Sequence, residues 1–539
     1  MPSKKLSLYF QTLKHVKPTQ LYHQLYYRLK NRFFKKSYQG KPEQVVKLRL
    51  KSGILYPNSY SGNKKFSFLN LEKSFSVIDW NFSEFGKLWA YNLNYFEFLN
   101  QEKITGEQGR ELIQDYISKK EILKDGFEPY PISLRGINWI KFLAKYRIED
   151  QGINEFLYAN YLRLTDNLEY HLLANHLLEN GFSLLFGAYY FQDEILFKKA
   201  YKILIVQLEE QILEDGAHYE LSPMYHQIIL HRVLDCLNLI QNNKWKADEL
   251  KNLLHTKAEN MLVWLEAISF INGEIPKLND SIDGIAPNTR ELLTYAAGLG
   301  LKSNTVKLKD SGYRKFEFKE LEILMDVGQI APKYQPGHSH SDSLQFLLNY
   351  KNKPVIVDTG ISTYEKNERR QLERSTGSHN TVTINDQNSS EVWGGFRVAR
   401  RAKVSIFNET ATLIEASHNG YRKLGFTHGR IFSIEENTFR IEDKILQDGN
   451  KSCKANGYLH FHPDTIIEIK GNSISINEEL RLEISGADQI ELGDYKFAEG
   501  FNKIKAAKKL VYTFKHKVIL EFHSASEAKP LRPLREKTY

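Results

Sequence analysis

The hydrophobic positions of this 539-residue chain follow two different periods. From residue 88 to about residue 300, apolar residues recur every three or four positions, in segments such as INWIKFLAKYRI and MYHQIILHRVLDCLNLI. That spacing is typical of amphipathic helices. Short polar or glycine-containing links separate these segments, which predicts antiparallel helix pairs. Such pairs, closing on one another, would form a toroid.

The period shortens after a polar, lysine-rich stretch at residues 301–313. Short apolar or alternating runs such as AKVSIFN, TFRIEDKIL and VILEFHS follow, with Gly, Asn and Asp turns between them. This pattern is typical of a large antiparallel β-sandwich. We therefore predict an α+β multidomain protein. A basic arm and irregular lead-in would occupy residues 1–85, a helical domain residues 86–305, and a β-domain residues 306–539.

The charge of the chain is concentrated at its N-terminal end. The formal net charge is +9, but residues 1–50 hold 12 Lys and Arg and one acid, Glu43, so the remaining residues sum to −2. The overall basicity therefore predicts neither a basic cleft nor nucleic-acid binding. Within the arm, Lys and Arg alternate with Leu, Tyr and Phe at helical spacing. This predicts either contact with a membrane surface or an acidic partner, or a helix packed by its aromatic face on the main body.

Cysteine usage and apolar segment lengths limit the other classes of protein. The only cysteines are Cys236 and Cys453, which implies no disulfide framework and no cysteine-based metal site. Neither a signal peptide nor an apolar segment of transmembrane length is evident. We therefore expect a cytoplasmic protein, with a periplasmic or secreted location as the alternative. The sequence predicts no oligomeric state.

Candidate chemistry is densest in residues 334–380. His338 and His340 alternate in a segment that turns into a strand, so we expect both side chains on one face. Asp358 ends an apolar run and His379 follows a polar loop, and both are expected to reach that face from neighbouring strands. Imidazoles together with a carboxylate suit either a metal ion or proton transfer.

The helical half contributes two further motifs. Asn175 and His176 lie together in HLLANHLLENG, and an asparagine in the middle of a helix is unfavourable, which indicates that its side chain is needed. Tyr225 ends the motif DGAHYELSPMY, whose Asp-Gly turn and Ser-Pro pair predict that it lies at the start of a helix near a mouth. A core aromatic is the alternative for Tyr225.

A third motif, PISLRGINWI, precedes these. Its Arg135 and Trp139, with Asn138 between them, suit a carboxylate or sulfate together with a sugar face. The alternative is a helix N-terminus with a buried tryptophan.

Five motifs in this order make the chain resemble the heparinase II/III-like family of polysaccharide lyases, with relatives among heparan-sulfate and alginate lyases. They are the Asn175-His176 helix, DGAHYELSPMY with Tyr225, GHSHSDSLQF, VIVDTG with Asp358, and RSTGSHNTV with His379. The resemblance runs from about residue 89 to about residue 462. It implies an incomplete N-terminal (α/α) toroid followed by a C-terminal antiparallel β-sandwich, with a cleft between them.

The resemblance implies β-elimination at a uronic acid. The polymer would be either a heparan-sulfate-like glycosaminoglycan or a bacterial capsule polysaccharide or exopolysaccharide. The C5 proton is only weakly acidic beside a charged carboxylate, so that charge has to be neutralised. By resemblance, Asn175 and His176 do this, and His338 is the base. Tyr225 is the acid for the leaving oxygen, and also the base for one C5 epimer.

Substrate contacts are assigned to Arg135, Asn138, Trp139 and to Glu220 of the Tyr225 motif. Arg135 is also the candidate cation that would let Tyr225 act as a base near neutral pH. The resemblance further implies a structural Zn²⁺ bound by three side chains and a fourth group such as water, and this ion would organise the loop of His338. Its ligands would be His340, Asp358 and His379.

Two other functions stay open at this point. One is a non-catalytic protein of capsule or exopolysaccharide biosynthesis that binds an acidic polysaccharide and keeps the lyase fold. The other is a glycoside hydrolase with Asp215 and Glu220 as its carboxylate pair, although the sequence offers no second such pair.

Overall fold

The computed structural model describes residues 2–34, 36–302, 304–436, 438–447 and 452–524. The end of the predicted β-domain, residues 525–539, lies outside these residues. Within them the chain is helical up to residue 298 and forms antiparallel sheets from residue 313 onward. In that described part, no helix is long and apolar enough to cross a membrane.

The helical region follows the predicted period of three to four. Its helices are α1 (Pro2–Leu13), α2 (Pro18–Phe33), α3 (Lys87–Tyr95), α4 (Gly106–Ser118), α5 (Pro129–Tyr146), α6 (Gln151–Asp166), α7 (Ala174–Phe191), α8 (Glu194–Gln211), α9 (Pro223–Asn242), α10 (Ala247–Ile268) and α11 (Thr289–Gly298). Local signals define several starts. Thr105 and Gln108 form a capping box at α4, and Ser222 caps α9, where proline occupies the first turn.

The helices pack as neighbouring pairs around a continuous core. The closest pairs are α7 with α8, α9 with α10, and α5 with α7. Helix α7 is buried along almost its whole length, which is expected of a helix that is apolar all round. The lead-in is part of this core, because Phe66 and Trp80 are fully buried in it. Residues 1–85 therefore do not form a separate folding unit.

The C-terminal region is built of short strands with alternating burial. The strands are β1 (Lys65–Phe68) and β2 (Leu71–Ser74) in the lead-in, then β3 (Tyr313–Phe318), β4 (Leu321–Asp326), β5 (Phe346–Tyr350), β6 (Lys353–Ile356), β7 (Val382–Ile384), β8 (Val392–Trp393), β9 (Arg397–Val398), β10 (Val404–Glu409), β11 (Leu413–His418), β12 (Phe426–Glu435), β13 (Thr438–Gln447), β14 (Ala455–His460), β15 (Ile467–Lys470), β16 (Ser473–Ile476), β17 (Leu480–Ser485), β18 (Gln489–Gly500), β19 (Lys503–Phe514) and β20 (Lys517–Ser524). A short helix, α12 (Glu368–Glu373), lies between β6 and β7.

These strands form three main antiparallel sheets. One has eight strands in the order β10-β11-β12-β13-β20-β17-β16-β15, and two have four strands, β3-β4-β5-β6 and β18-β19-β14-β7. Phe346 of β5 packs on Phe432, Phe439 and Phe522 of the eight-stranded sheet, with ring centroids 6.1–6.3 Å apart. This face-to-face packing forms the sandwich core, so the predicted fold class is confirmed.

Asp215 fixes the segment between the two regions. Its carboxylate accepts hydrogen bonds from the backbone N–H of Lys309 and from the N–H and hydroxyl of Ser311. The following Gly216 has φ +90°, and a Cβ there would lie 2.0 Å from the carbonyl oxygen of Asn260. Glycine is therefore required in this turn. Asp215 acts in the interdomain connection and does not pair with Glu220 as a hydrolase would need.

Candidate active site

A cleft of about 740 Å³ lies between the helical and β regions. The first turns of α5, α7 and α9 form one wall, and loops preceding β5 and β7 form the other. Four predicted site residues, Asn175, His176, Tyr225 and His338, line it together with Glu220. A larger cavity of about 1090 Å³, beside residues 41–55, contains none of the predicted site residues.

Asn175 lies in the first turn of α7 and not in the middle of a helix as predicted. Helix α7 begins at Ala174, after Leu173 and Ala174 have both taken positive φ values. The backbone N–H of Asn175 donates to Oε1 of Glu220 at 3.0 Å, and its Nδ2 donates to Oε2 at 3.2 Å. Its Oδ1 is buried and has no partner in the described structure. The amide is thus held at a helix N-terminus, where backbone N–H groups favour an anion.

His176 is partly exposed in the cleft and paired with a buried acid. Its Nδ1 lies 3.0 Å from Oε1 of Glu169. Burial alone would lower the pKa of His176, but the charge and hydrogen bond of Glu169 raise it above its ordinary value. The ring also contacts Tyr130, with centroids 4.8 Å apart. An imidazole whose protonated form is favoured by Glu169 therefore lies next to the amide of Asn175.

Tyr225 lies in the first turn of α9 and is stacked on His338. The two ring centroids are 3.9 Å apart and the planes differ by 30°. The hydroxyl of Tyr225 lies 3.3 Å from the hydroxyl of Tyr364. Burial raises the pKa of Tyr225 above its ordinary value, and the carboxylates of Asp280 and Glu220 add to the increase. The phenol is therefore protonated near neutral pH and suited to donate a proton.

His338 is held by a buried ion pair that the sequence did not reveal. Its Nδ1 lies 2.9 Å from Oδ2 of Asp280, and its Nε2 faces Oε2 of Glu220 at 3.6 Å. Asp280 forms a bidentate ion pair with Arg370 at 2.5 and 2.6 Å. Burial would raise the pKa of Asp280, but Arg370 and the two histidines hold it well below its usual range. Because an ionised Asp280 only accepts, Nδ1 of His338 donates to it, and in the neutral tautomer this leaves a lone pair on Nε2.

His340 shares the same carboxylate but is fully buried. Its Nε2 lies 2.9 Å from Oδ1 of Asp280. The prediction that His338 and His340 share one strand face is wrong, because both lie in the loop before β5, which begins at Phe346. The loop turns one ring to the cleft and the other to the interior. Burial lowers the pKa of His340 to about 4, so the ring is neutral.

The predicted zinc ligands supply two suitable nitrogens. Nδ1 of His340 and Nε2 of His379 are buried without a partner in the described structure, and the two ring centroids are 5.3 Å apart. Each ring donates through its other nitrogen to an ionised carboxylate, Asp280 or Asp358, which is the usual support for metal-bound imidazoles. These nitrogens fit a zinc ion.

The third predicted ligand, Asp358, is engaged elsewhere. Its oxygens accept from Nδ1 of His379 at 2.8 Å and from the N–H of Gly360 at 2.9 Å. Burial would raise the pKa of Asp358, but His379 keeps it below its ordinary value. Among the described residues no three His, Cys, Asp or Glu side chains converge as a metal centre. Direct ligation by Asp358 stays a prediction.

Three predicted substrate contacts lie behind the cleft wall. Arg135 is 1% exposed and donates to the carbonyl of Gly126 and the side chain of Asn160. Asn138 donates to the carbonyl of Tyr95, and Trp139 is fully buried. The structure does not bring these side chains into the cleft, because they point from α5 into the helical core. Arg135 is consequently not the cation beside Tyr225.

Four residues of the site escaped the sequence analysis: Asp280, Arg370, Tyr364 and Glu169. Asp280 lies in the loop between α10 and α11, next to Asn279, which has φ +54°. Arg370 belongs to the Arg-rich α12 and is fully buried. The sequence does contain an acid, Asp280, and an arginine, Arg370, in separate polar segments. No local pattern predicts that they form an ion pair, because they are 90 residues apart.

Sequence and structure comparisons agree with this architecture. The family model described as heparinase II/III N-terminus matches residues 132–297, and the one described as heparinase II/III-like, C-terminal matches residues 301–530. A heparin-sulfate lyase from Bacteroides stercoris is 25% identical over 278 residues, which are 46% of this chain and 41% of that protein. The match thus spans less than half of that relative.

Solved structures show the same fold at low identity. Heparinase III superposes with a TM-score of 0.65 at 14% identity, covering 95% of this chain and 93% of that chain. The heparan sulfate lyase HepC from Pedobacter heparinus gives a TM-score of 0.55 at 14% identity, covering 86% of this chain and 82% of that chain. The two family models together account for most of the chain, and the chain belongs to the heparinase II/III-like family.

Proposed function

We propose that this protein is a polysaccharide lyase that cleaves a uronate-containing polymer by β-elimination. The observation that carries the proposal is the stacking of Tyr225 on His338 in the interdomain cleft, opposite an amide and a cationic imidazole. The name of the Bacteroides stercoris relative, a heparin-sulfate lyase, supports the same reaction class. The stacked pair provides one base and one acid, which is what an elimination requires.

Carboxylate neutralisation is assigned to Asn175 and His176. Nδ2 of Asn175 uses one hydrogen in its bond to Glu220 and has a second to donate to the substrate carboxylate, whereas the buried Oδ1 only accepts. The protonated ring of His176 adds positive charge beside it. As the C5 proton leaves, negative charge spreads onto the carboxylate. Donors that are fixed before the reaction stabilise that charge best.

Proton removal is assigned to Nε2 of His338. Asp280 holds the opposite nitrogen, which fixes both the tautomer and the orientation of the ring. The base takes the C5 proton, the electron pair forms the C4–C5 double bond, and the C4–O bond breaks. No water is consumed, so the product sugar is unsaturated.

Protonation of the leaving oxygen is assigned to Tyr225. Its raised pKa keeps the hydroxyl protonated until the C4–O bond breaks. The same shift argues against Tyr225 as the base, because burial and the carboxylates of Asp280 and Glu220 outweigh the lowering effect of Arg370 on its pKa. We therefore assign the acid role alone to Tyr225 and the base role to His338.

The charge of the cleft favours a sparsely sulfated polymer. The described lining carries five carboxylates, and its Lys and Arg side chains are limited to Lys87 and Arg232. Lys87 is paired with Glu128 at 3.1 Å, and Arg232 with Glu179 at 3.1 Å. Dense sulfate would need unpaired cations. We therefore propose a capsule or exopolysaccharide uronate polymer over a heparan-sulfate-like one.

A zinc ion is proposed as a structural component. His340 and His379 would hold it through their unpartnered nitrogens, with Asp358 as ligand or as support for His379. When bound, it would fix the loop of His338 and take no part in the reaction. Metal analysis of purified protein is expected to find about one zinc per chain, reduced in His379→Ala. A metal-free protein whose melting temperature does not respond to zinc would contradict this.

The function is tested with a panel of uronate polymers of different sulfation. Ultraviolet absorbance reports the unsaturated product, and we expect it on unsulfated polymers, with large losses in Tyr225→Phe and His338→Gln. The matched controls are Tyr22→Phe, at an exposed position, and His255→Gln, at a half-buried one, and neither residue lines the cleft. Full activity in both cleft variants would refute the assigned roles. Polymer binding without unsaturated product would favour the non-catalytic binding protein.

A further inference from the structure

The N-terminal arm, residues 2–34, exposes an apolar surface that neither domain covers. It consists of α1 and α2, which lie against different parts of the molecule. Phe10 is 69% exposed, Leu25 60% and Phe33 64%. Isolated exposed apolar side chains are ordinary, but a series of them along each of two consecutive helices indicates a binding surface.

Helix α2 directs its polar side to the protein and its apolar side outward. Gln20 donates to the carbonyl of Leu172 at 3.1 Å, and Tyr27 donates to the carbonyl of Leu168. Leu21, Leu25 and Leu29 recur every four residues on the outer face, and all are exposed. An ordinary surface helix has the reverse orientation. One prediction from the sequence is that the arm packs on the main body by its aromatic face. In α2 this holds for Tyr27, whereas the leucine side of the helix faces outward.

Helix α1 has the same orientation on the β-domain. Nε1 of Trp393 donates to the hydroxyl of Thr12 at 3.1 Å, and Arg400 donates to the hydroxyl of Ser7 at 3.1 Å. Leu6, Phe10 and Leu13 lie on the outer side and are more than half exposed. Both helices are thus attached to the body by hydrogen bonds and by the aromatic contacts of Tyr9 with Trp393 and of His23 with Tyr170, and their exposed Leu and Phe side chains are free to bind something else.

Positive charge surrounds this apolar surface. Lys5 is exposed on α1 and Lys14 directly after it, and Arg28 and Arg32 are exposed on α2. Residues 1–50 carry a balance of +11, and their single acid is Glu43. In the described structure no carboxylate pairs with Arg28 or Arg32. The arm therefore presents apolar side chains bordered by unpaired cations.

We propose that this arm binds the surface of an anionic lipid bilayer. Leu and Phe side chains enter the boundary between headgroups and acyl chains, while Lys and Arg contact the anionic headgroups. An acidic polysaccharide would use the cations and leave the aliphatic side chains in water. A second copy of the arm would bring two strongly positive surfaces together. The bilayer satisfies both properties of the surface.

The attachment of the arm would keep the cleft near the membrane. Nζ of Lys17 lies 4.0 Å above the ring of Tyr334 and is paired with Glu210. The hydroxyl of Tyr334 is 2.8 Å from that of Tyr219, the residue before Glu220 of the cleft wall. The arm therefore lies close to the site and is attached to both domains. This proposal is independent of the proposed lyase reaction.

The test is flotation of the full chain with phosphatidylcholine vesicles, with or without phosphatidylglycerol. We expect binding to the anionic vesicles, and we expect it to weaken as salt increases. The double variant Leu25→Ser/Leu29→Ser and the double variant Arg28→Gln/Arg32→Gln should each weaken binding roughly tenfold or more. Phe407→Ser is the matched control, because Phe407 is 67% exposed on β10, outside residues 2–34.

Four outcomes would overturn the proposal. The wild-type chain stays off anionic vesicles, or the Phe407 variant loses binding as much as the arm variants. In the third outcome no protein binds vesicles and the arm variants abolish self-association, so the arm binds a second copy of the chain. In the fourth, no protein binds vesicles and the arm variants abolish the binding of an acidic polysaccharide. Circular dichroism of each variant confirms that the substituted, exposed positions leave the fold unchanged.

Discussion

The two walls of the cleft hold their functional groups in different ways. On the helical wall, Asn175 and Tyr225 lie in first helical turns. Asn175 donates twice to Glu220, at 3.0 and 3.2 Å, and the Tyr225 hydroxyl has one long contact, 3.3 Å to that of Tyr364. On the β wall, His338 is held by Asp280, which is itself locked by two short bonds to Arg370. The comparison suggests that the helical wall binds the substrate carboxylate, whereas the β wall supplies a base fixed before substrate arrives.

The largest expected effect is on turnover and belongs to the β wall. His338→Gln removes the base and should lower kcat by about 10²–10⁴-fold, with little change in KM. The matched change on the helical wall, His176→Gln, removes positive charge beside the carboxylate in both the bound state and the transition state, so it should raise KM and lower kcat less than His338→Gln does. Steady-state kinetics on one polymer separate the two effects. The comparison would be reversed if His176→Gln lowered kcat more than His338→Gln did.

The next effect concerns stability. Asp280→Asn leaves the buried Arg370 without its ionic partner, and the free energy of unfolding should fall by about 3–5 kcal/mol. The double variant Asp280→Asn/Arg370→Met should recover part of this loss, since it removes the unpaired charge. Denaturant unfolding measures both variants. On the helical wall, Glu169→Gln should cost about 1–3 kcal/mol. If Asp280→Asn and Glu169→Gln lowered the free energy of unfolding equally, the two walls would be equally rigid.

A moderate effect is expected from pH on the helical wall. The pKa of His176 is raised in the folded protein, so its charge is fully present below about pH 6.5 and is lost as pH rises through the folded pKa. KM for a uronate polymer should therefore increase with pH on the alkaline side of neutrality. The stabilising pair with Glu169 weakens in the same direction. In the His176→Gln variant, KM should not change with pH over this range. If KM of the variant rose with pH as steeply as KM of the wild-type protein, His176 would not be the residue that binds the carboxylate.

The smallest effect is expected from Tyr364→Phe. The contact between the Tyr364 and Tyr225 hydroxyls is long, 3.3 Å, so its removal should change kcat only severalfold. A loss as large as that of Tyr225→Phe would instead give Tyr364 a direct part in proton transfer. Rates measured on the same polymer for both phenylalanine variants decide between these outcomes.

The sequence predicted the fold class because the helical region and the β-region each have their own period of burial. It also grouped Asn175, Tyr225 and His338, which the structure brings to one cleft. It failed at Arg135 because periodicity does not tell which side of α5 faces a cavity and which faces the core. It missed Asp280 because this polar loop residue is identified as part of the site only by its ion pair with Arg370, 90 positions away. It assigned a strand at His338 because the alternating His and Ser residues of this loop imitate the alternation of a strand.

The loop that carries Asp280 has a consequence for exchanging parts between relatives. Asp280 comes from the helical region, yet its partners His338, His340 and Arg370 all come from the β-region. A chimera joined at residue 300 would therefore combine histidines from one parent with a carboxylate loop from another. Functional grafts of this β-region need residues 279–281 transplanted with it, although they lie before the apparent boundary in the chain.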